Sequence, residues 1–242
     1  MIKEALQYIV GLGNAEEHMI NGACYSDKPL HRIDTYYPKA DAIEMHTLTS
    51  LVDYIKSEVD DMPPRMIVEV KSPTEVELYS QLDPNRDRES LVVASARVPA
   101  FEFDRFVEHE KFCINLQSKF LKSDDRELIL KFAGTVEAGS VSEYGDDGVT
   151  QKATIKTGLA SKGDAIVPNP VCLRPYRTFL EVEQPESAFV FRMKQDNYGS
   201  VMCAVFEADG GAWKMDATQA IKEYLQRELD GCLLYTSPSP RD

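Results

Sequence analysis

In the stretch RMIVEVKSPTEVEL, residues 65–78, an apolar run ends in Glu69-Val70-Lys71. Side chains two apart on a strand share a face, so this carboxylate and this ammonium would stand together. Such a pair is half of a Mg²⁺-dependent nuclease site. Carboxylates hold the ion, the ion polarises a phosphate and activates water, and the lysine balances developing charge. A further acidic ligand is required, and Glu44, Asp53, Glu58, Asp60 and Asp61 lie upstream with none at a clear strand end. The competing reading is a half-exposed strand, with Met66, Val68 and Val70 inward and Ile67, Glu69 and Lys71 on the other face. Glu75 and Glu77 would then continue a solvated, charged face. That reading needs no cofactor, and Mg²⁺ enters only with the nuclease alternative.

A second candidate lies in residues 151–194, which carry 7 Lys/Arg against 4 Asp/Glu in a chain of net charge −13. Arg174, Tyr176 and Arg177 are its most concentrated group, with Lys152, Lys156, Lys162, Arg192 and Lys194 around them and Phe179, Phe189 and Phe191 interleaved. A guanidinium can fork a phosphate while a ring stacks a base, so this pattern suits a nucleotide or a short strand. The alternative is that the rings are core and the cations pair with neighbours such as Glu181 and Glu183. Other motifs are weaker. His18, His31, His46 and His109 lack metal-ligand spacing. Glu110 reads as a salt-bridge partner, and Asp146-Asp147 as a turn.

The elements that must position these groups follow from periodicity. Helical spacing over 2–20 predicts a first helix, weakened by Gly11 and Gly13. Short strands are expected at 30–37 and 41–45. Thr47 or Thr49 caps a helix whose stripe is Leu48, Leu51, Val52 and Ile55. Strands follow at 66–71, 75–82 and 90–98, then helices at 103–121 and 124–136. Beyond residue 140 the pattern turns extended, with alternation at 149–157 and a hairpin through Asp196-Asn197-Tyr198-Gly199. A last helix runs over 216–229. The fold class is therefore α+β: a mixed or antiparallel sheet with flanking helices and a β-rich C-terminal half. We read 1–231 as one domain, a β-rich subdomain from about residue 140 being the alternative division.

Composition limits the function. Residues 1–150 carry 16 Lys/Arg against 28 Asp/Glu, so that part repels phosphate backbones and general duplex binding is disfavoured. No apolar run approaches the roughly 18 residues of a spanning helix, and the N-terminus lacks the charge and apolar pattern of a signal peptide. Five cysteines without regular spacing suit reduced thiols in a cytoplasm. Residues 232–242, CLLYTSPSPRD, match the translation of a transposon adapter used in sequencing libraries. They are set apart from the fold as non-native, with the true C-terminus missing after about Gly231.

Several phrases resemble the YfdQ-like family of phage and prophage proteins: VKSPTEVELYS at 70–80, PAFEFDRFVEHEKFCINLQSKF at 99–120, DDGVTQKATIKTG at 146–158 and VPNPVCLRPYRTFLEVEQPESAFVFRM at 167–193. The last is the most specific. The resemblance implies a phage-encoded accessory protein in the host cytoplasm and supplies no catalytic residues. The expectation is a non-enzymatic binding protein of phage DNA metabolism or counter-defence, oligomeric and without a membrane anchor. Its partner would be a host or phage protein met by the acidic N-terminal part, or a nucleotide held by Arg174, Tyr176 and Arg177, as in a nucleotide-sequestering anti-defence protein. The enzymatic alternative is the nuclease built on Glu69 and Lys71.

Overall fold

Two apolar faces in the sequence need covers, and each acquires its own sheet-and-helix layer. The computed structural model describes residues 2–11, 13, 15–20, 23–26, 39–61, 65–83, 86–142, 152–156, 162–166, 169–229 and 234–238. The chain divides into two units, Met1–Lys39 and Ala40–Asp242. In the first, helix α1 (Ile2–Gly11) is followed by strands β1 (Glu17–Ile20) and β2 (Ala23–Ser26), which form an antiparallel pair. The single helix expected over 2–20 thus stops at Gly11, where glycine offers no helical preference, and its last four residues pair as a strand. The strand expected at 30–37 lies outside the described residues.

In the second unit, one layer is built on β3 (Ile43–Met45), β4 (Met66–Ser72), β5 (Glu75–Ser80) and β6 (Ser90–Ser95). The order is β4-β5-β6-β3, with β4, β5 and β6 antiparallel neighbours and β3 parallel to β6. Strand β14 (Leu234–Pro238) lies parallel to β4 on its outer edge. The sheet's inner face is Val68, Val70, Val76, Leu78, Val92 and Ala94, all fully buried. Its covers are helix α2 (Leu48–Ser57), through Leu48, Leu51, Val52 and Ile55, and helix α5 (Trp213–Glu228), through Ile221 and Leu225. Each such side chain contributes about 1.5–3 kcal/mol on burial. Helix α2 begins where expected: the Thr47 side chain accepts from the Ser50 amide at 3.1 Å. The Thr49 amide finds a second acceptor far along the chain, the Glu181 carboxylate at 3.1 Å.

The other layer is a sheet ordered β11-β12-β13-β7, comprising β7 (Val107–Glu108), β11 (Val171–Leu173), β12 (Ser187–Gln195) and β13 (Val201–Glu207). Alternation along β12 buries Ser187, Phe189, Phe191 and Met193. Against them pack α3 (His109–Lys119) through Phe112 and Leu116, and α4 (Asp124–Thr135) through Ile129 and Phe132. The β12–β13 turn is set by Asp196, whose carboxylate accepts from the amides of Tyr198 and Ser200. Gly199 there takes φ +83°, which a side chain would oppose. Strands β8 (Val136–Ser142), β9 (Lys152–Lys156) and β10 (Lys162–Ile166) form a third, antiparallel sheet. The architecture is α+β, with mixed and antiparallel sheets.

The helix expected over 103–121 is corrected. It starts only at His109, after residues that pack as an aromatic cluster: Phe101 lies 4.7 Å from Phe103 and 4.8 Å from Phe120, and Phe103 stacks on Phe189 at 5.6 Å. Asp104 has φ +58°, which no helix tolerates. Glu108 caps the helix, accepting from the amides of Glu110 and Lys111, bonds that hold its carboxyl below the usual range. Ile114 is exposed, and Glu110 is exposed in the first turn.

Candidate functional site

The hairpin β4–β5 does put a carboxylate beside Lys71, but not the one sequence suggested. Lys71 forms an ion pair with Glu77 and lies 3.6 Å from Glu75. Register sets Glu69 directly opposite Glu77, Glu77 opposite Val93 and Val93 opposite Glu44, so the three acidic residues share the face turned away from the helices. The expectation of a solvated Glu77 is corrected: it is only 6% exposed. Its neighbours satisfy it, Ser90 donating its hydroxyl and Lys71 and Tyr79 completing the set. Burial alone would raise the Glu77 pKa, yet these bonds outweigh burial and hold it below the ordinary carboxylate value. The same bond to Glu77 raises Lys71. Among the described residues no group of three or more His, Cys, Asp or Glu is placed to hold a metal ion. What the hairpin can do chemically is lock a lysine: Lys71 is neutralised in place.

The signs of these shifts fix a pH dependence. A carboxyl lowered on folding gives stability that is present above its unfolded value, about 4.3, and lost as pH falls through the folded value. Lys71, raised on folding, gives stability that persists below its unfolded value and is lost only as alkali passes the folded one. Lys71→Met removes the first partner and leaves the buried Glu77 charge short of a counter-ion. Acid unfolding followed by circular dichroism is expected to move to higher pH in this variant; an unchanged midpoint would mean that Glu77 gains nothing from Lys71.

Arg174, Tyr176 and Arg177 lie in the segment that links β11 to β12, and each meets different partners. Arg174 binds Glu183 at 2.9 Å and Glu186 at 3.1 Å. Tyr176 is half-buried, its amide donating to the Lys119 carbonyl. Arg177 is 6% exposed. Its guanidinium meets Glu207 at 2.9 Å, donates to the Ser187 hydroxyl, which donates onward to Asp209, and stacks over the Trp213 ring with 3.9 Å to the ring centre. Burial pulls the Arg177 pKa down to about 10, against the raising effect of Glu207 and Asp209, so it stays charged at neutral pH. Gln184, 4% exposed, organises the turn: its carbonyl accepts from the amides of Arg177 and Thr178, and its amide donates to the carbonyls of Phe179 and Val182. Phe179 and Val182 are thereby inserted into the core under α2 and α5, while Val171, Leu173 and Phe189 on either side belong to the other core. Both guanidiniums are thus engaged by internal carboxylates, Glu183 among them, and Glu181 caps α2.

Sequence spacing missed a cleft at one end of the β3–β6 sheet. Ala40 and Asp41 before β3, Ile43 in it, Tyr54 from α2, Asp60 and Asp61 after that helix, Ser80 at the end of β5 with Gln81, Leu82 and Asp83 after it, and Glu89, Ser90 and Leu91 at the start of β6 enclose about 580 Å³. Five acidic residues line it, and among the described residues no basic one does. The Tyr54 hydroxyl donates to Asp60 at 2.6 Å, and burial, with that bond and the charges of Asp60 and Glu89, pushes its pKa up to about 12. The hint in sequence was the excess of acidic residues before residue 150. Their convergence depended on register and loop path, which composition does not encode. Burial raises Cys113, Cys172 and Cys203, favouring the thiol over the thiolate in each.

No protein-family model, curated protein or solved structure matches this chain. Among the described residues, no helix is long and apolar enough to cross a membrane.

Proposed function

We propose that this chain is a phage-encoded accessory protein that acts by binding, and that its partner is a host or phage protein presenting a basic segment to the acidic cleft. One observation carries the reading: five carboxylates converge on a cleft that also has Ile43, Leu82 and Leu91 in its wall. A lysine or arginine buries its aliphatic stem on apolar surface and keeps its charged head among acceptors, so this lining matches a basic side chain from end to end. The net charge of −13 adds long-range attraction for such a partner and repulsion for nucleic acid. The YfdQ-like phrases at 70–80 and 167–193 support the phage setting, and the phage protein would work in DNA metabolism or counter-defence in the host cytoplasm.

A fluorescently labelled Lys/Arg-rich peptide is the probe. Binding by anisotropy is expected to weaken at least about tenfold when Asp60, Asp61 and Asp83 are changed together to asparagine, and to fall with added salt. An acidic peptide of equal length should not bind. Equal affinity of parent and triple variant would overturn the assignment of the cleft. The nuclease alternative is tested separately with Mg²⁺ and Mn²⁺ on single- and double-stranded DNA and RNA, Lys71→Ala in parallel. No metal-dependent cleavage is expected; cutting abolished by the substitution would replace the binding reading with a catalytic one.

A further inference from the structure

Helix α1 presents an apolar face that its own unit does not cover. Ile2, Leu6, Ile9 and Val10 recur at the spacing of one helix face and are 81%, 56%, 62% and 67% exposed. The helix buries none of its residues, and β1 is exposed throughout. On the β1–β2 hairpin, register puts Ile20 and Tyr25 on one face, and both are more than half exposed.

Neither element is self-sufficient. An isolated helix shorter than about 12–15 residues is marginal in water, and α1 has 10 residues. A lone two-stranded hairpin is marginal as well. A unit of under about 40 residues is normally held by a disulfide, a metal or association with another chain. Met1–Lys39 has Cys24 as its single cysteine and so closes no disulfide of its own. Among the described residues no ligand group for a metal is placed there. Association is the route that the exposed stripe supports.

Charge decides what associates. Residues 1–39 carry 4 Lys/Arg against 5 Asp/Glu, whereas the remainder of the chain carries 23 against 35. A two-fold contact sets the same patch against itself, so a near-neutral patch is the one that meets its copy without repulsion. A basic partner is drawn to the acidic remainder instead. A lipid surface calls for a basic rim, and α1 offers Lys3 alone, offset by Glu4.

We propose that α1 is a self-association surface, on which the Ile2, Leu6, Ile9 and Val10 stripe of one copy packs against the same stripe of a second copy. The proposal is independent of the acidic cleft. Covering the stripe and the hairpin face in both copies removes on the order of 650 Å² of apolar surface from water. That is the apolar share of an interface of about 1,200 Å², a size that belongs to a reversible dimer.

Sedimentation of the full 242-residue chain is the test, run at about 1 to 100 μM to bracket the dissociation constant of so small an interface. The mass is expected to rise from 27.2 kDa toward twice that value. Leu6→Lys combined with Ile9→Lys is expected to weaken the dimer at least about a hundredfold. Lysine has a helix propensity close to that of leucine, so the change strikes the face and spares the helix. Gln7→Ala, on the far side of α1, should leave the dimer intact. Added salt should tighten it by screening the repulsion between the two acidic remainders. A chain that stays at 27.2 kDa over the whole range overturns the proposal, whichever other surface the stripe meets. So does a dimer that is unmoved by the two lysines, lost equally in Gln7→Ala, or weakened by salt.

Discussion

Replacing Arg177 by methionine is expected to cost about 3 kcal/mol of folding stability. Methionine keeps the apolar stem, so the loss comes from the guanidinium with its charge, bonds and stacking. The guanidinium is buried between Glu207, the Ser187–Asp209 relay and the Trp213 face. Removing it leaves the carboxylates uncompensated and forfeits a stacked cation. Breaking a buried pair spans about 3–5 kcal/mol. The lower end applies because the Glu207 side chain is 31% exposed and recovers some hydration. The readout is built in, because Trp213 is the only tryptophan of the chain. Urea unfolding followed by its emission should show an earlier midpoint and a shifted native spectrum. Arg177→Lys should recover only part of the loss, since an ammonium neither forks nor stacks as a guanidinium does. A loss below about 1 kcal/mol in Arg177→Met would place the residue among ordinary surface cations.

Gln184→Leu is expected to be as damaging, at about 3–5 kcal/mol, by a different route. Leucine has a similar volume but is one bond shorter, so most of the packing is kept while four backbone partners are lost: the amides of Arg177 and Thr178 and the carbonyls of Phe179 and Val182. Each buried group left unmade costs about 1–3 kcal/mol, and part relaxes toward water. The turn that Gln184 holds inserts Phe179 and Val182 between α2, α5 and the β4–β6 sheet. Its loosening should therefore weaken one layer more than the other. Denaturation monitored by Trp213 emission and by far-ultraviolet circular dichroism is expected to coincide in the parent and separate in Gln184→Leu. Coincident curves at parental stability would show that the turn holds without its glutamine.

The resemblance placed most weight on 167–193, and the structure makes that phrase a structural joint. Its Arg, Thr and Gln are consumed by internal bonds, which is why residue types suited to a ligand served as a poor guide to one. Helix α2 was legible because cap and stripe are local: Thr47, Leu48, Leu51, Val52 and Ile55 declare it within nine residues. The β12–β13 hairpin was legible for the same reason, alternation and turn residues lying side by side. The 103–121 segment was not. Phe103, Phe106 and Val107 have helical spacing, but their partners, Phe120, Phe189, Phe206 and Cys203, are distant in sequence, and glutamate is an uncommon first cap. Glu77 was read as solvated because alternation reports a face and not what fills it. The bonds from Lys71 and Ser90 come from two other strands. The acidic cleft was invisible for a related reason: Asp41, Asp60, Asp83 and Glu89 meet only through the sheet's register.

The layer that holds the cleft closes late during synthesis. Leu78 on β5 is covered in part by Ile221 and Leu225, which lie about 145 residues downstream. At about 5–20 residues per second of translation, the ribosome needs roughly 7–30 s to deliver them. For that interval the emerging β4–β6 sheet has only α2 against its valines. Hairpin formation is far quicker, on the order of microseconds, so the sheet exists before its second cover does. A nascent chain in this state offers chaperones an apolar surface well before it offers any partner a finished cleft.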